Sequence, residues 1–228
     1  MKESLKKLFA PINEVEKTTC ASLIFLLLYG HFLARVNLEY FDAIYTLRNG
    51  FICSLEQLSI LITLLICLYR LFKGIKVKGN WFVINTTLMS AVFVFGLGDK
   101  LRWGQYIFNR QIPTFFLQNN SQGQITFHNL IYNGISINKV IFGSGLAIVV
   151  VTYLLIIPSL YHSREKFRAW IDTLGLPIPQ PHQVAIYILA AIVALTIPAH
   201  KRGELVQLVG TWMFLMIFSY PKNRHAFI

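Results

Sequence analysis

The stretch LAIVVVTYLLII, residues 146–157, carries no charge, no Gly and no Pro. A helix needs about 20 mainly apolar residues to cross the hydrocarbon core of a bilayer, where every backbone N–H and C=O must be paired within the segment. Extended in both directions to 137–160, the stretch meets that length and predicts a transmembrane helix. Five more stretches follow the pattern: 18–38, 51–69, 81–97, 183–199 and 205–220. The last two are shorter and are joined by His200, Lys201, Arg202, Gly203 and Glu204, so a re-entrant hairpin is the alternative for that pair.

Composition agrees with the spans. Of 228 residues, 55% are hydrophobic and only 14% charged, and the mean hydropathy is +0.54. These values lie far from those of a water-soluble globular domain. No Ser/Gly/Pro-rich linker or low-complexity tract divides the chain, so residues 1–228 are read as one integral membrane domain. The expected fold class is all-α, a polytopic bundle of about six spans. Glu14 and Glu16 precede the first apolar run, which ends without a small-x-small cleavage site, so that run is expected to stay as helix one.

Basic residues give the bundle a direction. Lys2, Lys6, Lys7, Lys17, Arg70, Lys73, Lys76, Lys78, Arg164, Lys166, Arg168, Lys222 and Arg224 put thirteen on one side, against eight on the other: Arg35, Arg48, Lys100, Arg102, Arg110, Lys139, Lys201 and Arg202. The positive-inside rule then places both termini in the cytoplasm. The formal net charge of +11 is spread over short loops and accompanies no nucleic-acid-binding motif, which excludes nucleic acid as a partner. Membrane lipids with anionic headgroups are the expected partner, and other membrane-protein subunits are the second class. Cys20, Cys53 and Cys67 fall within spans without CxxC spacing and read as packing residues.

Two segments outside the spans carry an interfacial pattern. Residues 163–174 place Phe167, Trp170, Ile171 and Leu174 at helical spacing beside Arg164, Lys166 and Arg168, as in a short surface helix. Residues 102–118 mix Trp103, Tyr106, Ile107, Phe108, Phe115 and Phe116 with Arg110 and Gln111, broken at Pro113. An aromatic belt that anchors the bundle accounts for both.

Ionisable groups inside apolar spans cost at least a few kcal/mol and are tolerated mainly when paired or functional. His31, Arg35 and Glu39 recur at i, i+4, i+8 on one face of helix one. Glu56 lies at a depth comparable with Arg35, so His31, Arg35 and Glu56 form the candidate intramembrane site, with Arg35–Glu56 as its ion pair. Its plain reading is an interhelical clamp and its functional one a ligand site. Asn85, Thr86 and Thr87 read as interhelical hydrogen-bonding groups. At the end away from the cytoplasm gather Asp99, His128, His200 and Glu204, the candidate catalytic or metal-ligating set, because carboxylates and imidazoles from separate helices suit both roles. A solvated polar rim is the alternative. No cofactor is expected.

The segment Gly98-Asp99-Lys100-Leu101-Arg102-Trp103-Gly104-Gln105, followed by Phe108, Pro113, Asn119-Asn120, Gln122-Gly123-Gln124 and Phe127-His128-Asn129-Leu130, resembles the signature of a family of uncharacterised polytopic bacterial membrane proteins. Its pattern is approximately GEEISWGQR-F, a Pro, then N-QGE-N-HN. The resemblance covers this segment alone and implies a multi-pass location in the bacterial cytoplasmic (inner) membrane. Departures are Lys100 and Gln124 at acidic positions and Arg102 at a small hydroxyl position, which weaken a carboxylate-rich metal site. Residues 99–130 are expected to form a re-entrant or interfacial cap closing a polar pocket. Its binding candidates are Arg102, Trp103, Gln105, Arg110, Gln122, His128 and Asn129, with the two arginines suited to phosphate. Three functions follow in order: a non-catalytic lipid-binding protein or complex subunit, an intramembrane lipid-modifying or hydrolytic enzyme, and a small transporter. The absence of an internal repeat speaks against the last.

Overall fold

A computed structural model describes residues 12–47, 50–105 and 107–227, apart from the side chain of Phe142. Lys2, Lys6, Lys7, Arg48 and Tyr106 lie outside the described residues. The helices in chain order are α1 (Glu14–Val36), α2 (Phe51–Gly74), α3 (Asn80–Lys100), α4 (Thr114–Asn119), α5 (Asn138–Ser163), α6 (Glu165–Leu174), α7 (Pro181–Leu195) and α8 (Arg202–Ser219). Strands β1 (Ile131–Tyr132) and β2 (Ile135–Ser136) form one small antiparallel hairpin. The chain divides into two compact units, Met1–Ile66 with Pro177–Ile228, and Cys67–Leu176.

Among the described residues four helices are long and apolar enough to cross a membrane: α1, α2, α3 and α5. The stretches 183–199 and 205–220 are occupied by α7 and α8, of 15 and 18 residues. At about 1.5 Å per residue α7 extends about 22 Å, short of a hydrocarbon core about 30 Å thick. Pro181 opens it, and Pro198 lies beyond its end, where a helix cannot continue.

In the first unit, α7 and α8 pack on each other and both pack on α1. Their shared core holds Leu23, Leu27, Phe41, Ile52, Ala194, Leu205 and Leu208. Gly30 permits the close approach, because a Cβ there would meet Leu205 at 2.8 Å. After α1, Asn37 caps a helical turn, its side chain accepting from Tyr40 N at 2.9 Å, and the chain continues as a π-helical turn, Phe41–Tyr45. A buried polar stripe runs along α2 through Glu56, Ser59 and Thr63. Ser59 and Thr63 donate to Leu55 and Ser59 carbonyls within their own helix, which satisfies the hydroxyls without a partner helix.

In the second unit, α6 packs on α3. The segment expected to lie on the surface buries Ile171 while Trp170 stays exposed. Asn85 donates to Leu174 O at 3.0 Å, and Gly175 ends α6 at φ 62°, where a Cβ would meet the Phe82 ring at 2.3 Å. Only Gly combines that left-handed backbone with so close a neighbour. Tyr161 donates to Asp172 at 3.0 Å, and Arg168 donates to the Tyr161 and His162 carbonyls at 3.1 Å each. Of the hydropathic windows of α3 and α5, only 17% and 12% are buried. Exposed Ile84, Leu88, Val92, Ile148, Val149 and Ile156 therefore form apolar faces too large for contact with water.

Candidate functional site

The cap begins where α3 stops. Arg102, Trp103 and Gly104 follow with φ of 51°, 50° and 77°, three successive residues in the left-handed region, which costs a non-glycine residue about 1–2 kcal/mol. Two glycines allow the reversal. A Cβ on Gly98 would meet the Trp103 ring at 2.8 Å, and one on Gly104 would meet Phe108 at 2.7 Å. Trp103 then packs edge-on against Phe95 and Phe127, with both centroid separations 5.8 Å. Phe116 meets Phe127 at 5.6 Å. This aromatic set replaces the packing that a longer helix would have supplied.

Polar side chains lace the rest together. Asp99 accepts from Phe127 N at 2.6 Å through Oδ1 and from His128 Nδ1 through Oδ2. Gln105 Oε1 accepts from Ile125 N at 3.1 Å. Asn120 donates to Thr126 O at 2.7 Å and accepts from Gln122 N at 2.9 Å, an Asx turn. Asn129 donates to Gln122 Oε1 at 3.0 Å and to Thr126 Oγ1 at 3.2 Å. Asn133 and Gly134, both at positive φ, make the two-residue turn between β1 and β2, the chemistry a tight hairpin asks for.

Of the predicted residues, the structure brings together Asp99, His128, Gln105, Gln122 and Asn129. The carboxylate on Nδ1 fixes the orientation of the His128 ring. Arg102 is buried, whereas Arg110 is exposed with its guanidinium 5.4 Å from the Phe108 ring centre. Trp103 Nε1 is buried without a hydrogen-bond partner among the described residues. His200 and Glu204 belong to the other unit, His200 exposed in the turn before α8 and Glu204 in its first turn. Among the described residues no three His, Cys, Asp or Glu side chains form a group able to hold a metal ion.

The expected Arg35–Glu56 pair takes another form. Arg35 donates to Nδ1 of His31 at 2.7 Å and to the His31 carbonyl at 3.2 Å. His31 Nε2 in turn lies 3.0 Å from Val193 O and 3.2 Å from Thr196 Oγ1. The physical reason is proximity: one turn of the same helix sets His31 beside Arg35 whatever the neighbouring helices do. Glu56 is wholly buried.

Sequence reasoning missed a second acid–imidazole cluster, in the first unit. Glu16 Oε1 accepts from His182 Nε2 at 3.2 Å and from Gln183 Nε2 at 2.9 Å, while Oε2 accepts from Asn13 N at 3.3 Å. Gln183 also donates to Tyr220 O at 3.1 Å and accepts from Gln180 N at 2.9 Å. All three central side chains are buried, and His182 Nδ1 has no partner among the described residues. A cavity of about 310 Å³ lies beside Glu16, bordered by Asn13, Gln180, Lys222 and Arg224. Two capping boxes carried the available signal, Asn13 with Glu16 and Gln180 with Gln183, each spaced i, i+3 ahead of an apolar run.

No protein-family model, no curated protein and no solved structure matches the chain.

Proposed function

We propose that this chain is a multi-pass protein of the bacterial inner membrane, with both termini in the cytoplasm, that binds lipid headgroups through its cap without performing chemistry on them. The four long apolar helices and the distribution of basic residues support the location. In this reading α7 and α8 form a hairpin that need not cross the full bilayer. The observation that carries the lipid reading is the division of labour within the cap. Asp99, Gln105, Asn120, Gln122, Thr126 and Asn129 are spent on bonds within the cap. Ile107, Phe108, Phe115 and Leu117 stay exposed beside exposed Arg110. An apolar rim with a guanidinium held over it suits a phosphate at the membrane surface.

Lipids that co-purify with the chain in mild detergent, measured by mass spectrometry, test this. Arg110→Glu is expected to remove anionic lipids several-fold while leaving the helices intact; an unchanged lipid profile would end the proposal. The Asp99–His128 pair favours a second reading as an acid–base enzyme, since a carboxylate on Nδ1 orients the imidazole. Hydrolysis of a headgroup ester by the purified protein, lost with His128→Ala, would establish that alternative instead.

A further inference from the structure

The first unit carries a groove of about 760 Å³ along α1. Ala21, Phe25 and Tyr29 form one wall at i, i+4, i+8, so that wall follows the helix axis for about 12 Å at 1.5 Å per residue. Tyr40, Ile44, Phe51, Leu55 and Trp212 complete the lining, the turn that carries Tyr40 and Ile44 lying back against α1 near Leu26 and Tyr29. The lining is aromatic and aliphatic, with hydroxyls only at Ser22 and the tyrosines. That volume and lining belong to the usual range of ligand pockets.

The groove is preformed. Tyr45 donates to Leu26 O at 2.7 Å, which pins the π-helical turn onto α1. Burial raises the Tyr45 phenol pKa above its usual value, and the nearby Tyr29 adds to the shift, so the donor keeps its proton. Tyr29 meets Tyr45 edge-on at 5.5 Å and stacks on Phe25 at 6.1 Å with 4° between the planes. Fixed rings lose little freedom when something settles on them. Phe25 is nevertheless 65% exposed and Phe51 59%, an apolar recess left uncovered on a helix long and apolar enough to cross a membrane.

We propose that this groove holds one fatty acyl chain of a membrane glycerolipid. A bilayer around α1 presents acyl chains to the opening at very high concentration, and the recess is continuous with the exposed face of Ile24, Leu28 and Phe32 that such a bilayer would cover. A partner helix fits less well. Helices approach closely over small residues, and here only Ala21 and Ser22 are small, at one end, while bulky rings hold off a backbone along the rest. Flat, stacked ring faces also suit unbranched methylenes better than a methyl-branched isoprenoid. This site shares no lining residue with the cap.

The test is photolabelling of the full chain in vesicles of phosphatidylethanolamine and phosphatidylglycerol doped with a phosphatidylcholine that carries a diazirine in its acyl chain. Cross-links are expected to concentrate on residues 21–29, Ile44 and Phe51, well above those on the exposed Ile148 and Val149 of α5. Ser22→Trp, a change at an exposed position that fills the groove, should cut groove labelling several-fold and leave α5 labelling unchanged. Arg110→Glu should leave the groove pattern as it is, so failure of the cap reading and failure of this one are distinguishable. Equal labelling of groove and α5 overturns the proposal, and this comparison needs only the wild-type chain if Ser22→Trp does not accumulate. Groove residues cross-linked to a second copy, or labelled better by a photoactivatable polyprenyl phosphate, overturn it as well.

Discussion

Two acid–imidazole pairs sit in two units of this chain, and they differ in how they are enclosed. Asp99 and His128 lie 29 positions apart with side chains 8% and 28% exposed. Glu16 and His182 lie 166 positions apart with side chains 1% and 0% exposed. The first pair closes a local loop and keeps one edge of its imidazole within reach of solvent or a headgroup. The second ties the start of α1 to the start of α7 inside a sealed contact that includes Gln183 and the Tyr220 carbonyl. Similar chemistry thus serves a surface that can meet a ligand in one place and a fixed junction in the other. Enclosure, more than residue type, separates the two.

The largest effect should come from opening the sealed junction. Glu16→Ala removes the acceptor for His182, Gln183 and the Asn13 amide, and each buried donor left without an acceptor costs about 1–3 kcal/mol. Thermal unfolding in detergent should show a drop in Tm well beyond that of Glu16→Gln, which keeps one acceptor oxygen. If Glu16→Ala costs no more than a substitution in the cap, the contrast between the pairs collapses. Asp99→Ala is expected to cost about 1–3 kcal/mol, the penalty for stranding partly buried donors. Hydrogen exchange should then accelerate at the Phe127 amide, which Asp99 holds, while amides of the α1 core stay protected. Protection lost equally in both units would show that the cap is no separate element. Thr126→Val is milder: it removes one acceptor shared by Asn120 and Asn129 but leaves the Thr126 carbonyl bond to Asn120. About 1 kcal/mol is expected, read as increased exchange confined to residues 120–130.

The same difference in enclosure governs what the sequence discloses. Hydropathy is a local sum, so 18–38, 51–69, 81–97 and 137–160 overlap α1, α2, α3 and α5 closely. The reduced length of α7 was already implied by Pro181 and Pro198, which bound it. In the cap, Asp99 and His128 stand at the two ends of one loop bearing Gly98, Gly104 and Gly123, and their meeting could be anticipated. Glu16 and His182 gave no such sign. Each sits in a helix start whose neighbours read as ordinary caps, and nothing within a helix turn of either reports a contact made by packing α1 on α7. Ser59 and Thr63 were hidden for a related reason, since two hydroxyls in an apolar run that bond their own helix leave hydropathy almost unchanged.

Arg35 gives the smallest expected effect, and it tests whether local or long-range partners win where exposure is high. Its guanidinium bonds His31 one turn away on its own helix, in a geometry that survives any small movement of α2. A double-mutant cycle of Arg35→Ala with Glu56→Gln is therefore expected to be additive within about 0.5 kcal/mol, as for sites without a shared partner. The parallel cycle of Arg35→Ala with His31→Ala should give a coupling of about 0.5 kcal/mol or more, because those two groups are in contact. The single change Glu56→Gln can be costly without affecting this outcome, since a cycle isolates the pairwise part. A coupling between Arg35 and Glu56 larger than that between Arg35 and His31 would place the guanidinium across the helix interface in the membrane, and would make the first unit's charged face an interhelical clamp of the same kind as its sealed junction.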